Sequence, residues 1–334
     1  MPTYAKQFRA LPDLHARSPC FFFFNAVRKT LRSTVWQVGM PGVQWVSINP
    51  GGEQLVFRSW ARDRGQVIRI ASQKDASAPE LLGALEAEGS ETSVESSSVV
   101  FTGSGQFIAS ATTSTLQRWD ARTRVELERL RMAGMIRCLA GQPKTNLVAV
   151  GTTAGQVHLW DVKTGELAAL KHGVSEVRAL AFSSNGRNLA SLSLDGVVKV
   201  WNVDQGSVTQ TLKVNGIGCQ VALSPDGRRI AASNPDAVRV WNLADGRLLH
   251  VLKGNRLMGA RMAFLGNGEA LVTGGEHPQG NGGLLIWNAH SGEFAGWIAA
   301  HDDKGLRGLS TSEDGASLVT VGYDGNIRLW NWSN

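Results

Sequence analysis

The sequence predicts an all-β fold: a seven-bladed β-propeller of four-stranded antiparallel blades, closed by an N-terminal strand that completes the last blade. Three observations predict it. Trp119, Trp160, Trp201, Trp241, Trp287 and Trp330 end short β-rich runs at intervals of 41, 41, 40, 46 and 43 residues, the roughly 40–45-residue period of one propeller blade. Turn sequences built on Gly, Asn and Asp recur once per period. The last copy stops after three strands, and a strand-like segment lies just upstream of the first copy.

The seventh copy comes first in the chain and lacks the tryptophan. Gly65-Gln66-Val67-Ile68-Arg69-Ile70 matches Gly155-Gln156-Val157-His158-Leu159-Trp160, which places Ile70 in the tryptophan position, 49 residues before Trp119. Before each second strand stands a turn such as Ser183-Ser184-Asn185-Gly186, Ser224-Pro225-Asp226-Gly227 or Ser312-Glu313-Asp314-Gly315. Glycine reaches positive φ cheaply and Asn or Asp tolerates it, so these tetrapeptides reverse the chain between strands. A second turn follows the tryptophan, as in Asp161-Val162-Lys163-Thr164-Gly165. Segments between turns, such as Val197-Val198-Lys199-Val200-Trp201, have blade-strand length and β-branched content.

Composition agrees with one large soluble ring. The 334 residues are 43% hydrophobic and 19% charged, and no apolar run approaches the roughly 18 residues of a membrane helix. Cys20, Cys138 and Cys219 are too few and too widely spaced for a disulfide framework or a zinc motif, and read as reduced thiols in a cytoplasmic protein. The net charge of +6 is not spread over the ring. Residues 1–32 hold Lys6, Arg9, Arg17, Arg28, Lys29 and Arg32 against Asp13 alone, which leaves about +1 for the rest.

These repeats resemble the WD40 family over roughly residues 33–334. The Trp-Asp pair stands at Trp119-Asp120 and Trp160-Asp161, and elsewhere becomes Trp-Asn. The resemblance implies a structural tetrad of His, Ser or Thr, Asp and Trp in each blade. By spacing, His172, Ser191, Asp195 and Trp201 form one, and His301, Thr320, Asp324 and Trp330 another. The Asp position elsewhere holds Thr113, Ala154, Pro235 and Asn281, so those networks are incomplete and those blades must rely on inter-blade packing. The resemblance also implies closure by Ser33-Thr34-Val35-Trp36-Gln37-Val38, which fills the vacancy in the last blade and removes an open sheet edge.

Two domains follow: a basic, disordered N-terminal extension over 1–32 and the propeller over 33–334. The extension carries Cys20-Phe21-Phe22-Phe23-Phe24, shorter than a secretory h-region. A transit peptide, a partner-binding tail, a membrane-surface contact and an over-extended start all fit it. Within the ring, two loops exceed the repeat length. The segment 86–98 holds Glu86, Glu88, Glu91 and Glu95 without a basic residue, and Gly274–Gly283 is glycine-rich but lacks the Lys-Ser/Thr ending of a phosphate-binding loop.

Aligning the first strands places Gln44, Ser97, Arg137, Arg178, Cys219, Ala260 and Arg307 at one equivalent site. By the resemblance that site looks onto the top face around the channel. Arg137, Arg178 and Arg307 are the candidate partner-binding residues, suited to an acidic or phosphorylated peptide because guanidinium groups make charge-assisted, bidentate contacts. Tyr323 and Leu194, each just before a tetrad Asp and expected to be exposed, extend this surface. Catalysis is not expected: no compact acid pair or His cluster is present, and no residues are assigned to a metal or cofactor. The expected function is a protein-interaction scaffold, a monomeric ring within a complex. The runner-up is nucleic-acid association through the basic tail, since the ring lacks a basic stripe.

Overall fold

A computed structural model describes residues 31–36, 43–61, 65–72, 80–84, 98–253, 261–276, 282–301 and 306–332. Seven four-stranded antiparallel sheets account for every strand in these ranges. Each sheet is a blade whose strands run in sequence order from the channel outward, here A to D. Blade 4 shows the plan: A is Val177–Phe182, B Asn188–Ser193, C Val197–Asn202 and D Ser207–Lys213. The A strands start at the face called the top, where the B–C turns also lie; the A–B and C–D turns lie at the bottom.

The A–B turns form as their residue types require. Ser183 Oγ accepts from Asn188 N–H at 3.0 Å and Asn185 Oδ1 from Arg187 N–H at 3.0 Å, while Gly186 sits at φ 72°. Ser224, Asp226 and Gly227 repeat this in blade 5, as do Ser312, Asp314 and Gly315 in blade 7. Side-chain oxygens thus satisfy amides that the sheet ladder leaves over.

Blade 7 has A Leu306–Thr311, B Ser317–Gly322 and C Ile327–Trp332, and its D strand is Leu31–Trp36. Leu31 pairs with Trp332 and Trp36 with Ile327 in an unbroken antiparallel register. The closing strand therefore exists, but starts two residues upstream of the expected 33–38 and ends at Trp36. Residues 1–30, including the phenylalanine run, lie outside the described residues, as do 86–97 of the acidic loop. In the glycine-rich stretch, B of blade 6 continues to Glu276 and C begins at Gly282, while 277–281 lie outside the described residues.

Packing is organised by interface. Seven buried hydrophobic clusters each join two neighbouring blades. In six of them the C-strand tryptophan of one blade packs against the preceding blade. Trp201, for instance, lies with Ala149, Val157 and Val177, and Trp330 with Val272 and Ile286. Large aromatic area removed from water holds the ring together even where tetrads are incomplete.

The seventh interface, between blades 7 and 1, is built differently, and it corrects the placement of Ile70. Leu55 pairs with Ala71 as Leu189 pairs with Trp201, so Ala71 and not Ile70 stands in the tryptophan register. The sequence match was off by one residue. In the same frame Phe57 occupies the place of Ser191, is fully buried, and shares a cluster with Ala71, Val319 and Val321. The bulky and small partners have exchanged strands, leaving the interface filled, as volume-conserving exchanges allow.

Candidate docking site at the channel mouth

The two expected tetrads are present but wired differently. In blade 7, Trp330 Nε1–H donates to Thr320 Oγ1 at 3.0 Å, His301 Nε2 lies 3.0 Å from the same oxygen, and His301 Nδ1 meets Asp324 Oδ1 at 3.0 Å. In blade 4, Trp201 Nε1–H donates to Ser191 Oγ at 2.7 Å and His172 Nδ1 lies 2.7 Å from it, but His172 Nε2 meets Ser193 Oγ at 3.0 Å. Ser193 in turn bonds Asp195, so Asp195 joins only through that hydroxyl. The cause is the residue before the turn: blade 7 has Gly322 where blade 4 has Ser193, and any Cβ there would come within 2.4 Å of the His301 ring.

Burial offsets the ordinary behaviour of two tetrad groups. Desolvation, helped by Lys199 and opposed by Asp195, lowers His172 to about 4. Burial would raise Asp324, but the Asn326 amide and His301 outweigh it and hold the carboxyl below its usual range. An unfolded His172 protonates near 6.5, so between 6.5 and 4 the unfolded chain binds the extra proton. The stability contributed by neutral His172 is complete above pH 6.5 and is lost as pH falls toward 4. Thermal melts from pH 7.5 to 4.5 are expected to show a falling melting temperature, and His172→Gln a flatter profile from a lower start.

The incomplete blades keep what they can. Trp119 Nε1–H still donates to Ser110 at 3.0 Å and Trp287 to Thr273 at 3.2 Å. In blade 5, Asn234 Nδ2–H donates to the Val214 and Asn215 carbonyls at 3.0 and 2.8 Å, while its Oδ1 accepts from the Asp236 and Ala237 amides. Two blades lack the hydroxyl, with Val150 in blade 3 and Ala232 in blade 5; the Trp160 indole N–H is buried without a hydrogen-bond acceptor, a deficit of about 1–3 kcal/mol.

The seven A strands enclose a channel of about 330 Å³. At its bottom Lys144 Nζ faces Glu313 Oε1 at 4.0 Å, from blades 3 and 7. Burial is the main influence on Glu313 and raises its pKa. At its top Arg261 stacks over the Trp45 ring with 3.6 Å between guanidinium carbon and ring centroid, joining blade 6 to blade 1.

The structure brings the three predicted arginines to this upper mouth, each as the extra residue of a β-bulge at the start of an A strand. In blade 1 the bulge residue is Trp45, at φ 43°, rather than Gln44. A bulge breaks the alternation of a strand and re-aims one side chain. Arg137 Nε and Arg178 Nε both approach one carboxylate oxygen, Glu176 Oε1, at 2.7 and 3.0 Å. Arg307 lies over Tyr323 at 4.1 Å. Tyr323 is exposed as expected, whereas Leu194 is half-buried because its turn tucks against the loop before blade 4, its amide donating to the Glu176 carbonyl. Cys219 is half-buried.

Two further cations belong to the mouth and were not identified from sequence. Arg58 is 2% exposed; burial first, and Arg307 second, lower it to about 10. Arg261 is lowered to about 10 by burial, with Arg137 acting in the same sense. In both, a nearby like charge adds to the burial that disfavours the charged form. Burial pushes the neighbouring Cys138 thiol up to about 12, which keeps it unreactive. The signal for Arg58 was an arginine inside the apolar run Gln54–Trp60. Arg261 stands one residue beyond the aligned site, in the place of Ala179 of blade 4, so the alignment did not select it. Outside the cations, Met135, Val174 and Ile217 project from the loops leading into blades 3, 4 and 5, with exposures of 47%, 91% and 56%.

Comparison with known proteins agrees with this geometry. The family model for the WD domain, G-beta repeat, matches residues 166–202 and 292–331, the stretches that contain C of blades 4 and 7 and hence both complete tetrads. The chain thus carries WD40 repeats at these two positions of a seven-bladed β-propeller. This WD40 propeller is 24% identical over 238 residues to human Pre-mRNA-processing factor 17, covering 68% of the chain and 40% of that protein. It is 32% identical over 154 residues to a Coronin-like protein of Saccharomyces cerevisiae, with coverages of 44% and 23%, and 32% over 185 residues to human Apoptotic protease-activating factor 1, with 53% and 14%. The WD40 chain thus spans less than half the length of these relatives. A chain in a crystal structure of the Mitotic Checkpoint Complex superposes with a TM-score of 0.72 at 19% identity, covering 91% of this chain and 94% of that one.

Proposed function

We propose that this WD40 propeller is a non-enzymatic, cytoplasmic interaction platform that docks acidic protein partners on its top face. The observation that carries the reading is the convergence of Arg58, Arg137, Arg178, Arg261 and Arg307 on one channel mouth, with the Glu176 carboxylate between two of them. Clustered guanidinium groups in a low-dielectric setting focus a positive potential and favour carboxylate or phosphate ligands. Exposed Met135, Val174, Ile217 and Tyr323 surround the cations with apolar area, the mixture that interface centres combine. Sheet bulges rather than loops carry Arg137, Arg178 and Arg307, which suits a role of holding partners together in a complex.

Affinity capture tests this. Partners retained by the wild-type chain are expected to be lost from an R137A/R178A/R307A variant that melts like wild type. Retention of every partner by that variant contradicts top-face docking.

A further inference from the structure

The carboxylate between two of these arginines is poorly served. Glu176 Oε1 lies within 3.0 Å of Nε on both Arg137 and Arg178, yet it is buried without a well-directed hydrogen bond, and so is Arg178 Nε. Proximity without alignment gives Coulomb attraction but little of the directional energy a guanidinium–carboxylate pair can supply. The two arginines come from adjacent blades, on equivalent bulges, and their forks are anchored by sheet rather than by loop. Glu176 itself stands at the end of the loop leading into blade 4, held through its backbone carbonyl, which accepts from Leu194 N–H at 2.8 Å. Its side chain is free of that anchor.

We infer that Glu176 is a built-in counter-ion occupying an anion subsite between Arg137 and Arg178, and that a phosphoryl group on a partner peptide displaces it. The inference rests on the top-face reading and adds what the ligand is and what competes with it. A partner carboxylate would exchange one monoanion for its equal. A phosphomonoester carries close to two charges at neutral pH and three acceptor oxygens, enough to address both guanidinium groups with separate oxygens where Glu176 offers one to the pair. Once displaced, the Glu176 side chain has solvent at hand, being 21% exposed. Met135 and Ile217 occupy the position equivalent to Glu176 in blades 3 and 5 and are exposed, so among the described residues no second acid stands at that position beside the subsite.

The discriminating variant is Glu176→Gln, which keeps the size, the backbone carbonyl and a neutral acceptor while removing the charge. Full-length wild type, E176Q and R137A/R178A are immobilised and challenged with three peptide pools of identical degenerate flanks, centred on phosphoserine, glutamate or serine. E176Q is expected to hold the phosphoserine pool about fivefold more tightly than wild type, the scale of a partly exposed ion pair removed as competitor. R137A/R178A is expected to lose it, and the serine pool to bind none of the three. A residue with a merely structural role would give weaker or unchanged binding on substitution, not tighter. Loss of binding in R137A/R178A without a gain in E176Q overturns the counter-ion role but leaves top-face docking standing. An equal gain for the glutamate pool overturns the phosphoryl assignment, as does a wild-type chain that does not distinguish phosphoserine from serine. Unchanged binding in R137A/R178A overturns both the subsite and the top-face reading beneath it.

Discussion

Deleting Leu31–Trp36 lowers the melting temperature of the ring by roughly 10 °C or more, because each lost ladder bond is worth about 1 kcal/mol net and a domain of this size moves by about 2–4 °C per kcal/mol. The strand supplies a six-residue register against Ile327–Trp332. Without it the C strand of blade 7 becomes an exposed edge, and the ring loses the one sheet that draws on both ends of the propeller. The damage should reach beyond blade 7, since the Trp330 interface and the Phe57 interface lie on its two sides. Differential scanning calorimetry of the truncated chain checks this. A melting temperature equal to that of the full chain would contradict closure by residues 31–36.

The second large effect concerns the interface that has no tryptophan. Phe57→Ser empties a fully buried aromatic site and is expected to cost about 3–5 kcal/mol. Ala71→Trp alone adds an indole to a filled cluster and is destabilising by at least the ~1–3 kcal/mol of an overpacked core. The double variant F57S/A71W restores the Ser–Trp arrangement of blade 4, with the new indole N–H facing the new hydroxyl. It should therefore recover about 1–3 kcal/mol relative to the sum of the singles. Chemical denaturation of the four proteins gives the coupling, and strictly additive losses would show that Phe57 and Ala71 do not share the space.

The architecture was legible because it is written in repeated local rules. A tryptophan every 40 to 46 residues in six blades and a turn bearing Gly, Asn or Asp before six of the B strands fix blade number and strand order; blade 3 departs, with Lys144 at φ 64° in its A–B turn. What the sequence hid was register. Ile70 against Ala71 and Gln44 against Trp45 are each one-residue displacements. A bulge or an exchanged side-chain pair shifts the count without altering the pattern of apolar and polar residues. The relay through Ser193 was hidden for another reason: it depends on a hydroxyl where blade 7 has glycine, a difference visible only when the His ring is placed. Glu176 was hidden because an acid in a loop carries no signal until two arginines from separate blades converge on it. Of the candidate surface, Arg137, Arg178, Arg307 and Tyr323 stand where expected at the mouth, while Leu194 is more enclosed than its turn position implied.

Bulges bear on function, since those at Arg137, Arg178 and Arg307 are what aim the arginines at the mouth. The most direct measurement is the equilibrium affinity of one captured partner for wild type and for R137A/R178A/R307A across a salt series. Top-face docking predicts binding at least about tenfold weaker in the variant at physiological salt, with a shallower loss of affinity as salt rises. Equal affinity with an equal salt slope would contradict it.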